Sequence, residues 1–209
     1  MFASLLLRIG ALGPLVLYGV IAAAGLLTPG YDFMTGQVSE LGKAGAPQAS
    51  IFNYGLIAGG AAIAVGGLAM LLALRRLGGG IIMPLLAAAA VAVFGASFVI
   101  AGLHPTPDAM HQAYNLGYAG VVAPLLGFLA MGDRSELSGA KTLAVVSFLA
   151  AAAGVALVKN VGGFDLVKPA FAGAWHLGLI VATTLWLLPA FLAMPGALAA
   201  KERKRAAGF

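Results

Sequence analysis

The chain has 209 residues, 61% of them hydrophobic and 9% charged, with a mean hydropathy of +1.00. Soluble domains are about 45–50% apolar and about 25% charged, so a water-exposed globule is excluded for want of polar residues to cover it, and disorder is excluded because it needs low hydrophobicity and high charge. Cysteine is absent, which removes disulfides and thiolate chemistry, and the formal charge of +5 sits in short segments between apolar runs, the pattern of a membrane protein and not of a nucleic-acid binder.

A membrane helix needs about 20 mostly apolar residues. Six segments qualify: 9–27, 51–74, 81–103, 113–131, 143–158 and 171–194. The expected class is an all-α membrane protein, a six-transmembrane-helix bundle over 1–200 with a basic tail at 201–209. The first segment reads as a retained helix, because no cleavage site precedes a soluble domain. A barrel is excluded, since the runs are continuous and do not alternate every second residue. Nine of the twelve cations (Arg8, Arg75, Arg76, Arg134, Lys141, Lys201, Arg203, Lys204, Arg205) fall on the side of the two termini. The positive-inside rule therefore predicts cytoplasmic termini and a multi-pass protein of the cytoplasmic membrane. Lys201 to Arg205 reads as an anchor against anionic lipid.

The first outer connection, 28–50, is long for a membrane hairpin, and long ordered loops tend to be functional. Val38 and Leu41 are expected to dip into the interface with Ser39 and Glu40 aimed inward. Ser39 would then donate a hydrogen bond and Glu40 serve as a general base if burial raises its pKa. The competing reading makes both turn and cap residues. Tyr31 and Trp175 fit an outer aromatic belt, and Tyr31, Asp32, Asn115 and Trp175 are candidate ligand-binding residues.

The second span carries Gly59-Gly60 and Gly66-Gly67, the fourth Gly117 and Gly120, and alanine runs fill 87–90 and 150–153. These patterns predict close helix packing and offer Gly/Ala faces to other membrane subunits. Pro14, Pro84, Pro124 and Pro189 predict kinks.

The second outer connection reads His104-Pro105-Thr106-Pro107-Asp108-Ala109-Met110-His111. Thr106 is a credible N-cap with Pro107 at the first helical position. Asp108 and His111 then share a helix face, which Asn115 extends. The third outer connection holds a Gly162-Gly163 turn and an Asp165–Lys168 surface pair. His176 starts the last span. All three histidines map to one leaflet. His104, His111 and His176 with the Asp108 carboxylate are the donor types of a zinc site with an open position for water. No His-Glu-x-x-His signature is present.

Pro29-Gly30-Tyr31-Asp32, Val38-Ser39-Glu40-Leu41-Gly42, Gly45-Ala46-Pro47, Phe52-Asn53-Tyr54-Gly55 and the later His104-Pro105-x-Pro107-Asp108-x-x-His111 together resemble a bacterial and archaeal family of six-helix membrane proteins known as a domain of unknown function. The chain is also distantly similar to the DRAM/Sfk-like membrane family, which carries a related Ser-acid-x-Gly loop after its first helix. The resemblance implies the six-helix fold and transfers no activity. A looser likeness is to membrane hydrolases of the alkaline ceramidase type, whose zinc site combines Ser, Asp and three His. Those have seven helices and a histidine pair on the last, against six spans and one His176 here.

Three functions are expected in descending order. The first is a metal-assisted lipid hydrolase or transferase at the outer leaflet, with Ser39, Glu40 and Asp108 catalytic and the three histidines on the ion. The second is a non-catalytic lipid-binding protein or accessory subunit. The third is a small transporter, which needs a midplane polar site. The deepest polar groups are only Ser97, Ser147, Thr183 and Thr184, hydroxyls that usually bond their own helix backbone.

Overall fold

A computed structural model describes residues 2–159 and 167–208, leaving out the side chain of Tyr114. The Gly162-Gly163 turn and Asp165, with its expected pairing to Lys168, lie outside the described residues. Every regular element among the described residues is helical. Six stretches are long and apolar enough to cross a membrane. The chain is thus a multi-pass integral membrane protein.

The long helices are α1 (Phe2–Leu27), α2 (Ala49–Arg76), α3 (Ile82–Leu103), α4 (Ala119–Met131), α5 (Ser138–Val158), α6 (Ala172–Thr184) and α7 (Leu187–Ala206). From α1 to α6 each packs against the next in sequence, and α7 returns to pack on α1, α2 and α5, so the bundle closes on itself. The residues facing inward are small or apolar: Leu7, Leu17, Ile63, Met70, Trp186 and Phe191 are fully buried. Large apolar side chains such as Leu26, Leu68, Ile82 and Leu149 remain exposed around the outside, where lipid replaces water as solvent.

Close approach follows from glycine, as the spacing predicts. A Cβ on Gly95 of α3 would stand 2.5 Å from the Gly60 carbonyl of α2, and one on Gly10 of α1 would stand 2.6 Å from Cα of Gly66. The glycine faces read as surfaces for other subunits therefore lie largely inside the bundle.

Two spans differ from expectation. The fourth, expected as one helix over 113–131, begins as a 3₁₀ segment at Ala109–Tyr118 and becomes α-helical only at Ala119. Its cap is Asp108, not Thr106: the Asp108 carboxylate accepts from the Met110 amide at 2.7 Å. Aspartate outranks threonine as a cap, and Pro107 precedes the helix instead of opening it. The sixth, expected as one helix over 171–194, is two helices broken at Leu185 and Trp186. Pro189 has no N–H for the Leu185 carbonyl, and its ring crowds that turn. By contrast Pro14 and Pro124 lie within unbroken helices, and Pro84 sits in the first turn of α3. Lys201 to Ala206 continue α7 as exposed helix.

The midspan hydroxyls behave as expected, with one exception. Ser97 donates to the Phe94 carbonyl at 2.7 Å, Thr183 to Leu179 at 2.8 Å and Thr184 to Ile180 at 2.6 Å. With its proton so used, Thr184 accepts from the Tyr18 hydroxyl of α1 at 2.6 Å. Ser147 and the Trp186 indole N–H are buried with no partner among the described residues.

Candidate functional site

The two ends of the bundle are chemically unlike. One end carries the connections around 28–48 and 104–108 together with 167–171. The other carries both termini and the turns after α2 and α4. The first holds every residue expected to do chemistry.

At that polar end the first connection folds onto the bundle as a cap. A 3₁₀ turn at Val38–Gly42 buries Val38 and Leu41 in the core, in place of the expected interfacial dip. The inward aim of Glu40 is not observed. Its side chain is exposed and accepts from the Gln37 amide at 3.1 Å, closing a capping box. The local bond is available at three-residue spacing without burying a charge, so it wins over an inward pose. Ser39 is half-buried, and its hydroxyl makes no hydrogen bond among the described residues.

Asp32 is likewise taken up locally. Its carboxylate accepts from the Met34 amide at 2.9 Å and the Thr35 hydroxyl at 3.0 Å. Tyr31 donates to the Gly36 carbonyl at 3.0 Å and stands edge-on to Phe33. Burial, with the Glu40 and Asp32 carboxylates nearby, pushes the Tyr31 phenol up to about 12.

In the second connection three expected residues do meet. The His104 ring Nδ1 lies 3.0 Å from the Asp108 carboxylate, and the His111 ring Nδ1 lies 2.8 Å from the His104 carbonyl. A carboxylate and a carbonyl only accept, so both Nδ1 atoms carry the proton. Asp108 is held below the usual carboxylate range by the His104 ring first and the Met110 amide second. Asn115 does not extend this face. In a 3₁₀ helix positions three apart eclipse, so a residue four along from His111 is turned away, and Asn115 is exposed.

The three outer segments touch through backbone. The Ala44 amide donates to the Thr106 carbonyl at 3.2 Å, and the Gly173 and Ala174 amides both reach the Met34 carbonyl, at 3.0 and 3.2 Å. Trp175 and His176 follow on α6, both half-buried. Among the described residues no group of three or more His, Asp or Glu is placed to hold a metal ion. The ligand set expected for a zinc centre is not assembled among those residues. The contacts between these segments given above join main chains.

Two residues that the sequence reading passed over hold the ends together. Asn53 of α2 donates to the Gly42 carbonyl at 2.9 Å and ties down the cap. At the basic end Arg134 donates to Met131 at 2.6 Å and Ala130 at 3.3 Å, carbonyls left open where α4 stops, and reaches Leu77 after α2 at 3.4 Å. A lone arginine just past a glycine at a helix end is the signal that could have marked it. Lys201 donates to the Arg76 carbonyl at 2.9 Å.

Two open grooves lie at the basic end. One, of about 380 Å³, lies between α4 and α5, with Lys141 over the Phe128 ring at 5.7 Å and the exposed Val145 and Val146 also lining it. The other, of about 810 Å³, lies between the 77–84 turn and the end of α4, beside Arg134. By position in the chain this end has nine of the twelve cations and three of the seven acids; the polar end has three and four.

These features define a six-span integral membrane protein with a self-bonded polar cap and an open, cationic opposite end. The family model of DUF998, protein of unknown function, matches residues 11–200, and the chain belongs to that family. No curated protein and no solved structure matches it.

Proposed function

We propose that this chain is a non-catalytic lipid-binding membrane protein that engages anionic lipid at its basic end. The carrying observation is the division of charge together with the placement of both grooves at the cationic end. Each Lys or Arg near an anionic leaflet contributes about 1 kcal/mol of attraction. Positive-inside orientation puts this end at the cytoplasmic leaflet, where such lipids face it. A metal-assisted lipid hydrolase would need a ligand set and an activated nucleophile. The polar end supplies an Asp-oriented imidazole, but Asp32 and Glu40 serve their own turns, and the Ser39 hydroxyl has no hydrogen bond to a base among the described residues.

The test is thermal unfolding of the purified protein in nanodiscs of phosphatidylcholine with increasing phosphatidylglycerol. The expected result is a midpoint that rises with the anionic fraction and falls back at high salt, because binding to the folded state alone stabilises it and exposed charges are screened. Equal midpoints in the two lipids would overturn the reading.

A further inference from the structure

We infer that the groove between the 77–84 turn and the end of α4 is a discrete site for one anionic phospholipid, with the phosphate at Arg134 and an acyl chain along Ile82, Met83 and Leu129. It rests on the lipid-binding reading above and assigns it to a place.

Arg134 is half-buried and its guanidinium is immobilised. Nε and Nη2 approach the Leu77 carbonyl at 3.4 and 3.5 Å, and Nη1 serves Ala130 and Met131. A guanidinium has five N–H donors, so one Nη2 hydrogen remains. Arg134 also makes no ion pair with a carboxylate among the described residues. The ion pairs among the described residues are His104–Asp108 and Lys204–Glu136, and neither involves Arg134. A cation held rigidly at the edge of hydrocarbon without a carboxylate partner calls for an anion, and guanidinium binds phosphate well.

The groove has the room and the second charge. Gly78 adopts φ +91°, a left-handed turn that brings the chain round beneath the Lys201 amine; a Cβ at Gly78 would lie 3.5 Å from that Nζ. A Cβ at Gly80 would meet nothing within 4 Å, so the floor of the groove is open backbone. Asp133 also lines the groove, with its side chain exposed. The wall is what selects a lipid over free phosphate. Ile82 is 65% exposed, Met83 39% and Leu129 48%, an apolar run leading away from Arg134 that a soluble anion leaves uncovered.

The test measures competition in nanodiscs between spin-labelled phosphatidylglycerol and phosphatidylcholine for the full chain. Wild type is expected to select the anionic probe. Arg134→Gln should lower that selectivity roughly fivefold, the worth of one interfacial cation. Because Arg134 also caps α4, Gly80→Trp provides the second arm: it fills the groove, removes no charge, and should lower selectivity at least as much. Lys43→Gln, at the far end, should leave it unchanged. Wild-type selectivity that survives both groove variants overturns the site while the broader reading stands. Absence of selectivity in wild type removes both. Displacement of the probe by millimolar inorganic phosphate would assign the groove to a soluble anion and overturn the lipid.

Discussion

Gly95→Ala tests the packing argument most directly. A methyl at Gly95 would lie 2.5 Å from the Gly60 carbonyl and 2.6 Å from the Ala64 amide, and one at Gly60 would meet the Gly95 carbonyl at 2.5 Å. Ordinary contact begins at 3.4 Å, and the obstructing atoms are backbone, so no rotamer change relieves the clash. The helices must part by about an ångström along the α2–α3 seam. Overpacking of this kind costs about 1–3 kcal/mol. Alanine also favours a helix over glycine by up to about 1 kcal/mol, so the reference is another helical glycine. Gly19 in α1 has nothing within 4 Å of a built Cβ, and Gly19→Ala carries the helix gain alone. Equilibrium unfolding in mixed dodecylmaltoside and dodecyl sulfate micelles, followed by circular dichroism, should place Gly95→Ala about 1–3 kcal/mol below Gly19→Ala. Gly60→Ala should behave similarly, and the double variant should cost far less than the sum, because helices already parted accommodate the second methyl. A Gly95→Ala protein as stable as Gly19→Ala would refute the close approach.

Asp108 has its pKa lowered by His104 and Met110, so its contribution to holding the 104–111 turn is present above the ordinary carboxylate pKa and is lost as pH falls through its lower folded value. The Met110 amide shift in NMR should titrate with a midpoint below the ordinary value and cease to titrate in Asp108→Asn; a midpoint at or above it contradicts the pairing. Tyr31, raised to about 12 from 10.0, should stay protonated where ordinary tyrosines ionise, and its share of stability should be lost between those two values. Ultraviolet difference titration of wild type against Tyr31→Phe reads this, and a normal midpoint would mean the phenol is not buried on Gly36. Asn53→Ala should cost about 1 kcal/mol and expose the 28–48 connection to protease, whereas undiminished protection would show that the cap needs no tie to α2. Since the chain has no cysteine, Ala46→Cys and Ala207→Cys report orientation. An impermeant maleimide should label 46 on intact cells and 207 only after permeabilisation, and the reverse pattern would invert the topology.

The spans were legible because hydrophobic length alone nearly determines them. Their interiors were not. Mean apolarity does not distinguish α from 3₁₀ turns, so the change at Ala119 leaves no hydropathic trace. Pro189 marked a kink, but whether a proline bends a helix or splits it depends on how neighbours satisfy the freed carbonyl, and Pro14 and Pro124 did not split theirs. At the polar end the residue types were read correctly and their commitments were not. Asp32, Glu40 and Asp108 each lie two or three residues from an unpaired amide or hydroxyl, and such short-range bonds form without the cost of bringing distant charges together. Arg134 was counted as one positive charge among nine, because its bonds run to main-chain carbonyls that no residue pattern advertises.

The same contrast separates the two ends functionally. At the polar end, donors and acceptors from two connections and from the ends of α2 and α6 close on one another: Ala44 on Thr106, Gly173 and Ala174 on Met34, Asn53 on Gly42. Val38 and Leu41 are buried beneath that layer. Groups bonded to one another in this way have little left with which to select a polar ligand. At the basic end the balance is reversed. Arg134 and Lys201 satisfy carbonyls, but a carbonyl accepts a hydrogen bond without neutralising a full charge, so structural satisfaction there leaves an electrostatic surplus. That surplus stands beside exposed apolar walls at the rim of a membrane bundle, and the ligand matching both is amphipathic and negatively charged.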